Sequence, residues 1–245
     1  MKNPTYLIPW LIIIFITCMP ISTFAQNKDT GVGLFDDYSI NQNNKQVPDP
    51  LYWYNYGMYK FNDKLYFWLI KPVTKGYKAA VPSIIRSDFK NFFYNLLFPV
   101  RFVNSVLQGK FSGAGEELTI FLLNSSAGCL GFGRPAQKVF KLKNSDEDLG
   151  QTLGSYSIGE GFYLVLPVLG PSTLRDFAGD VGDFFLKPVN YLELDDAAIG
   201  ITAFDKINKI SFRLGDYKTL KDSAIDPYSA IKNAYIQLRR EKVEQ

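Results

Sequence analysis

Three carboxylates, Asp176, Asp180 and Asp183, follow one another at spacings of four and three in "STLRDFAGDVGDFF", which puts them on one face of a helix. Such a row could hold a hard cation, or supply a carboxylate pair for hydrolysis. Its surroundings favour neither. Hard-cation sites recruit further oxygen ligands from a recognisable loop, and the chain has no EF-type pattern. It also has no histidine, the commonest metal ligand and the usual base at neutral pH. The three aspartates therefore read as a solvated face, or as local partners of Arg175 and Lys187. No metal, cofactor or catalytic residue is expected, and the chain reads as a non-enzyme.

Two other signals are weak. The "GFG" at 131–133 is a lone Gly-x-Gly, with no alternating strand before it and no Lys-Ser/Thr partner; it reads as a turn rather than a phosphate cradle. A formal net charge of +3 is too small to imply nucleic acid as a partner.

The less usual stretch is Gly159 to Asp176, "GEGFYLVLPVLGPSTLRD", with no charge between Glu160 and Arg175. Its centre is as apolar as a buried strand, but its prolines and glycines argue against an ordinary sheet strand. It reads as a stiff, non-helical apolar segment within a helical body.

The elements around it are mostly helical. Asp49 and Pro50 suit the cap and first position of a helix. That helix carries nine aromatics from Tyr52 to Trp68 and is bounded by Pro72. The aromatics cover most of its circumference, as on a wide core face or a face turned to lipid. Apolar residues then recur at Ile85, Phe89, Phe92, Leu96, Val100, Val103 and Leu107, a 3.6-residue period. Pro99 marks a kink or junction in this pattern, and Gly109 a stop. A shorter helix spans roughly 113–126 and leads into the glycine-rich segment. Residues 143–152 read as a solvated acidic helix start, and Ser172 as the cap of a short amphipathic helix. Further helices cover 195–213 and the end of the chain, where Asp226 caps and Pro227 leads.

With 245 residues and 47% apolar composition, the chain is long enough for one domain with a substantial core. An aromatic content of 16% fits such a core, a membrane-interface protein, or both. Residues 1–25 read as a signal peptide, whose apolar run from Leu7 to Ile16 is short for a membrane span. Thr23 and Ala25 suit the −3 and −1 positions of a cleavage site. Cys18 is the competing site, where the cysteine would be lipidated. Residues 26–48 form a polar, Asn/Gln-rich tether, 49–240 the helical domain and 241–245 a C-terminal tail.

Several pieces, in this order, resemble the MlaA (VacJ) family of outer-membrane phospholipid-transport components. They include "DPLYWYNYGMYKFND", "PVRFVNSVLQGKF", "FLLNSSAGCLGFGRPA", "EDLGQTLGSYSIGEGFYLVLPVLGPSTLRDFAGD" and "DPYSAIKNAYIQLR". The resemblance runs from about Asp49 to Arg240. It implies a mostly α, single ring-like domain lying in the inner leaflet of the outer membrane, with short non-helical apolar segments and an amphipathic channel. It implies removal of phospholipid from the outer leaflet to a periplasmic phospholipid-carrier protein, and a porin trimer as a further partner. Family lipoproteins carry a small residue before the lipidated cysteine, whereas Thr17 precedes Cys18 here; the site after Ala25 is the better formed.

By the same resemblance, the apolar stretch from Gly159 to Asp176 lies beside the channel and its gate. Phe162, Tyr163, Leu164, Val165, Leu166, Val168 and Leu169 are then candidate wall residues; the alternative is a core staple joining two helices. Gly128, Gly131, Gly133, Gly159, Gly161 and Gly170, with Pro167 and Pro171, are candidates for gating or close packing. Asn124 matches a polar family position in the helix before the glycines. A second functional reading is a periplasmic, membrane-associated scaffold or binding protein without a channel.

Overall fold

The computed structural model describes residues 47–191 and 195–245. The signal peptide, Cys18 and nearly all of the tether lie outside the described residues. Val47 is already buried in the core, and the Pro48 carbonyl accepts from the Tyr163 amide at 2.9 Å.

The chain opens with α1 (Tyr52–Leu65), a π-helical turn (Tyr66–Ile70) and α2 (Lys71–Ala80). Pro72 therefore does not end the helix. Its ring would clash with the carbonyl four residues back. The wider turn moves that carbonyl away, with the Lys71 amide bonded to the Tyr66 carbonyl five residues earlier. Nor does Asp49 cap α1, since Leu51 holds that position without a side-chain bond. The Asp49 carboxylate is taken instead by Asn55 Nδ2 at 2.7 Å and the Tyr228 hydroxyl at 2.6 Å.

Next come α3 (Ser83–Leu96) and α4 (Phe98–Leu107), broken just before Pro99 as its position requires. Gly109, at φ +72°, turns the chain into α5 (Phe111–Ser126). After α6 (Pro135–Lys138), α7 (Leu149–Ser155) begins at Asp148, whose carboxylate accepts from the Gln151 amide. The segment before it is solvated as expected, with Lys143, Asn144 and Asp146 exposed, but the helix start is not: Asp148 is engaged by a buried arginine described below.

The apolar stretch after α7 is a hairpin of β1 (Tyr163–Leu166) and β2 (Gly170–Thr173), antiparallel with Val165 opposite Pro171. The expectation that proline excludes a strand thus fails for a physical reason. The Val165 amide points away from β2, to Asn55 Oδ1 at 2.8 Å. The 165/171 pair is therefore a non-hydrogen-bonded one, where a missing proline N–H leaves the ladder intact. Helix α8 (Leu174–Phe184) follows directly. Its cap is Thr173, which accepts from the Asp176 amide, whereas Ser172 lies within β2.

A 3₁₀ turn (Pro188–Tyr191), α9 (Asp195–Phe212), α10 (Asp216–Ser223) and α11 (Pro227–Glu244) complete the chain. Asp226 and Pro227 open α11 as expected, and the helix runs on into the segment read as a tail. Packing neighbours form a closed circuit: α1, the hairpin, α11, α7, α4, α3, α9, α2 and, through the π turn, α1 again. This is a mostly helical, ring-like arrangement. Its apolar core is split, with one cluster centred on Tyr59, Tyr163, Val165, Tyr228 and Tyr235 and another on Leu166 and Leu169. Among the described residues no helix is long and apolar enough to cross a membrane.

Candidate functional site: an amphipathic cleft and its polar frame

Between the end of α3, the 3₁₀ turn and α9 lies a cleft with two characters. Phe93, Leu97, Val189 and Ile201 give it apolar walls, while Lys187, Lys206 and Lys209 bring ammonium groups, with Asp205, Asn190 and Thr202 beside them. Lys209 Nζ is 2.6 Å from Asp205 Oδ2. Polar and charged side chains beside an apolar wall make the cleft amphipathic. Asn190 Nδ2 donates to the Phe184 carbonyl at 2.6 Å, tying the 3₁₀ turn to the end of α8.

A buried polar frame fixes α4, α7, α8 and α11 relative to one another. At its centre is Arg239, 1% exposed. It donates to both oxygens of Asp148, at 2.6 and 2.8 Å, and to Asp176 Oδ1 at 2.9 Å. Asp176 Oδ2 accepts from the Tyr235 hydroxyl at 2.8 Å, and Arg175 lies 3.3 Å from Oδ1. Burial pushes the Asp148 carboxyl up, but the bonds and charge of Arg239 outweigh it and hold the group at about 2. Asp183 accepts from Asn104 Nδ2 at 2.8 Å and from the Leu149 amide at 2.9 Å. Burial nevertheless raises its carboxyl to about 6. Asp180 is raised well above the usual carboxylate range by burial.

The solvated-face reading of Asp176, Asp180 and Asp183 is thus overturned: all three are buried. The contact with Arg175 expected for the row is present. The spacing was legible, but the partners come from α4, α7 and α11, which no local pattern reports. Among the described residues, no group of three or more His, Cys, Asp or Glu side chains could hold a metal ion.

The hairpin is held by α1 through two asparagines seven residues apart. Asn55 Nδ2 donates to the Tyr163 carbonyl at 3.0 Å while its Oδ1 accepts from the Val165 amide. Asn62 Nδ2 donates to the Leu166 carbonyl at 2.8 Å, and its Oδ1 accepts from the Val168 amide at 2.7 Å. The amides take the place of a third strand along the free edge of β1. Sequence reasoning missed both residues; the repeat of seven, two helical turns, was the available signal.

Of the candidate wall residues, Tyr163, Val165, Leu166 and Leu169 are buried, Phe162 and Leu164 half-buried, and Val168 exposed at the hairpin tip. Val168 has φ +65°, a left-handed conformation that costs a β-branched residue about 1–2 kcal/mol. Pro167 and Pro171 flank the tip, and Gly170 has φ +93°. Gly161, at φ +72°, leaves no room beside Leu174, while Gly159 has open space around it.

The second glycine group closes the turn after α5. A Cβ on Gly128 would meet the Asn124 carbonyl oxygen at 2.5 Å, and one on Gly131 would meet Asn95 Cβ at 2.4 Å. Gly133 lies against Gly128, whose carbonyl accepts from its amide at 2.7 Å. Cys129, Leu130 and Gly131 all have positive φ. Asn124 is buried; its Oδ1 accepts from the Ala136 amide and its Nδ2 donates to Gln137.

The sequence matches the profile of the MlaA lipoprotein family over residues 47–242. An Escherichia coli protein named intermembrane phospholipid transport system lipoprotein MlaA is 34% identical over 192 residues, covering 77% of this chain and 76% of that one. A Haemophilus influenzae protein of the same name is 32% identical over 235 residues, covering 93% and 88%. An uncharacterized protein of Rickettsia conorii is 30% identical over 202 residues, covering 81% and 79%. A solved structure described as the structural basis for maintenance of bacterial outer membrane lipid asymmetry superposes with a TM-score of 0.71. It is 31% identical, and the alignment covers 80% of this chain and 99% of that one.

Proposed function

The chain belongs to the MlaA lipoprotein family, and on that premise we propose that it removes phospholipid from the outer leaflet of the outer membrane through an amphipathic channel. It delivers the lipid to a soluble periplasmic carrier, and so maintains lipid asymmetry. The observation that carries this reading is the closed circuit of packed helices, with an amphipathic cleft between α3, the 3₁₀ turn and α9. The polar lining, with Lys206, Asn190 and Thr202, suits a headgroup, and Phe93, Leu97 and Ile201 suit the acyl chains. The domain sits on the periplasmic side, held by a porin trimer, and acts without catalysis. The hairpin forms part of the wall. Phe162, Leu164 and Val168 are accessible enough to meet lipid, and the buried Tyr163, Val165, Leu166 and Leu169 stiffen them from behind. The strained turns at Val168 and at 129–131 are the places where a gate would move.

The test is transfer of fluorescent phospholipid from vesicles holding the protein to a soluble carrier. Acceleration over bare vesicles is expected, together with a clear loss in Lys206→Glu at unchanged helical content. Phospholipid bound without faster transfer would favour a scaffold. Normal transfer by Lys206→Glu would remove the cleft from the route.

A further inference from the structure

The long first helix carries charge and aromatic rings on its outer side in a pattern that the cleft and the polar frame leave unused. Trp53, Gly57, Lys60, Lys64 and Trp68 succeed one another at spacings of four, three, four and four, one continuous helical face. Trp53 is 83% exposed and Trp68 79%. Beyond the π turn, Lys75 and Lys78 are exposed on α2 as well. From Tyr52 to Ala80 the only acidic residue is Asp63, and it is turned away and neutralised. Both its oxygens lie 2.7 Å from Lys221 Nζ, and one accepts from the Tyr217 hydroxyl. The charge that α1 and α2 themselves bring to the outer side is therefore cationic.

Indole rings sit by preference at the headgroup level of a bilayer, and lysines extend beyond them to reach the phosphates. A basic helix face bearing tryptophan, on a helix too polar to enter hydrocarbon, is the pattern of a surface-lying helix drawn to anionic lipid. We propose that the outer side of α1 and α2 is a docking face for anionic phospholipid headgroups, with Trp53 and Trp68 inserted and Lys60, Lys64, Lys75 and Lys78 paired to phosphates. This rests on the membrane location proposed above but not on lipid passing through the cleft. It predicts a preference among lipids that transport alone does not require. The π turn has a part in this. By adding a residue to one turn it lets the helix continue past Pro72, so that the lysines of α2 extend the face instead of ending it.

The experiment is flotation of the full chain with vesicles of phosphatidylcholine alone, or with phosphatidylglycerol added, at low and at molar salt. Wild type should bind the phosphatidylglycerol vesicles more tightly, and lose that advantage at high salt, where the screening length falls to about 3 Å. Replacing the four lysines by glutamine should lower binding to the anionic vesicles by roughly 100-fold or more, with little change on phosphatidylcholine. Trp53→Ala/Trp68→Ala should weaken binding to both. Circular dichroism must show the wild-type helix content in each variant; these side chains are exposed, so it should. Equal binding to the two vesicle types, or an unchanged anionic preference in the glutamine variant, overturns the proposal. In the latter case an acidic protein surface would be the better occupant. Transfer to a carrier, measured separately, can fail or succeed without altering either outcome.

Discussion

Asn55 and Asn62 make matching pairs of bonds to the hairpin, but their surroundings differ, and the difference sets a measurable contrast. Asn55 is 0% exposed. Replacing it by alanine orphans the Tyr163 carbonyl and the Val165 amide where water cannot reach them. Each such group costs about 1–3 kcal/mol, so Asn55→Ala should lose about 3–5 kcal/mol once the small cavity is included. Asp49 keeps its bonds to Tyr228 and Lys232 in that variant and adds little to the loss. Asn62→Ala frees the Leu166 carbonyl and the Val168 amide at the exposed tip. Water replaces much of what is lost there, and about 1 kcal/mol is expected. Urea unfolding followed by far-ultraviolet circular dichroism at neutral pH measures both. Hydrogen exchange at the Val165 amide adds a local reading and should accelerate in Asn55→Ala alone. Two variants within about 0.5 kcal/mol of each other, or unchanged protection at Val165, would refute the view that the first amide clamps the hairpin more strongly than the second.

Three further outcomes are expected. Arg239→Met leaves the buried Asp176 and the largely shielded Asp148 without their main counter-charge, and should cost about 3–5 kcal/mol in the same assay, against under 1 kcal/mol for an exposed pair such as Lys218–Asp222. Gly131→Ala, at φ +100° and against Asn95, should destabilise by more than about 1 kcal/mol, whereas Gly57→Ala, in open space within α1, should be neutral or stabilising. The third concerns pH. Asp183 has a folded value near 6, above its unfolded value of 3.8, so the folded state binds the extra proton. Stability should therefore rise as pH falls from 7 towards about 4, by at most about 1.4 kcal/mol per pH unit for this group, and Asp183→Asn should flatten that slope. Below about pH 4 the sign reverses through Asp148, whose folded value of about 2 lies under its unfolded one; that stability is lost as it protonates.

Local patterns were legible wherever the controlling interactions lie within one turn of the chain. The break before Pro99, the turn at Gly109, the start at Asp226 and the helical period running through α3 and α4 all follow from residues next to one another. The family could be recognised because its motifs recur in order along most of the chain. The sequence could not report where a polar residue's partner lies. Asp49 looked like a cap because its neighbours permit one, yet Tyr228 and Asn55 compete for the same oxygens. Asp176, Asp180 and Asp183 looked like a wet face because aspartate on a helix usually is one. Arg239, Asn104 and Tyr235 arrive from distant elements and make burial tolerable. Pro72 looked like a terminus because the cost of proline depends on a carbonyl four residues back, which the π turn moves away.

The apolar stretch from Phe162 to Pro171 shows the division most clearly. Its composition alone determined that it is not a helix and that it would seek burial. Whether it pairs with itself was decided by the tertiary structure. A lone two-stranded ribbon is marginal in water. Here α1 supplies the missing edge partners, through amides more than one hundred residues away in the chain.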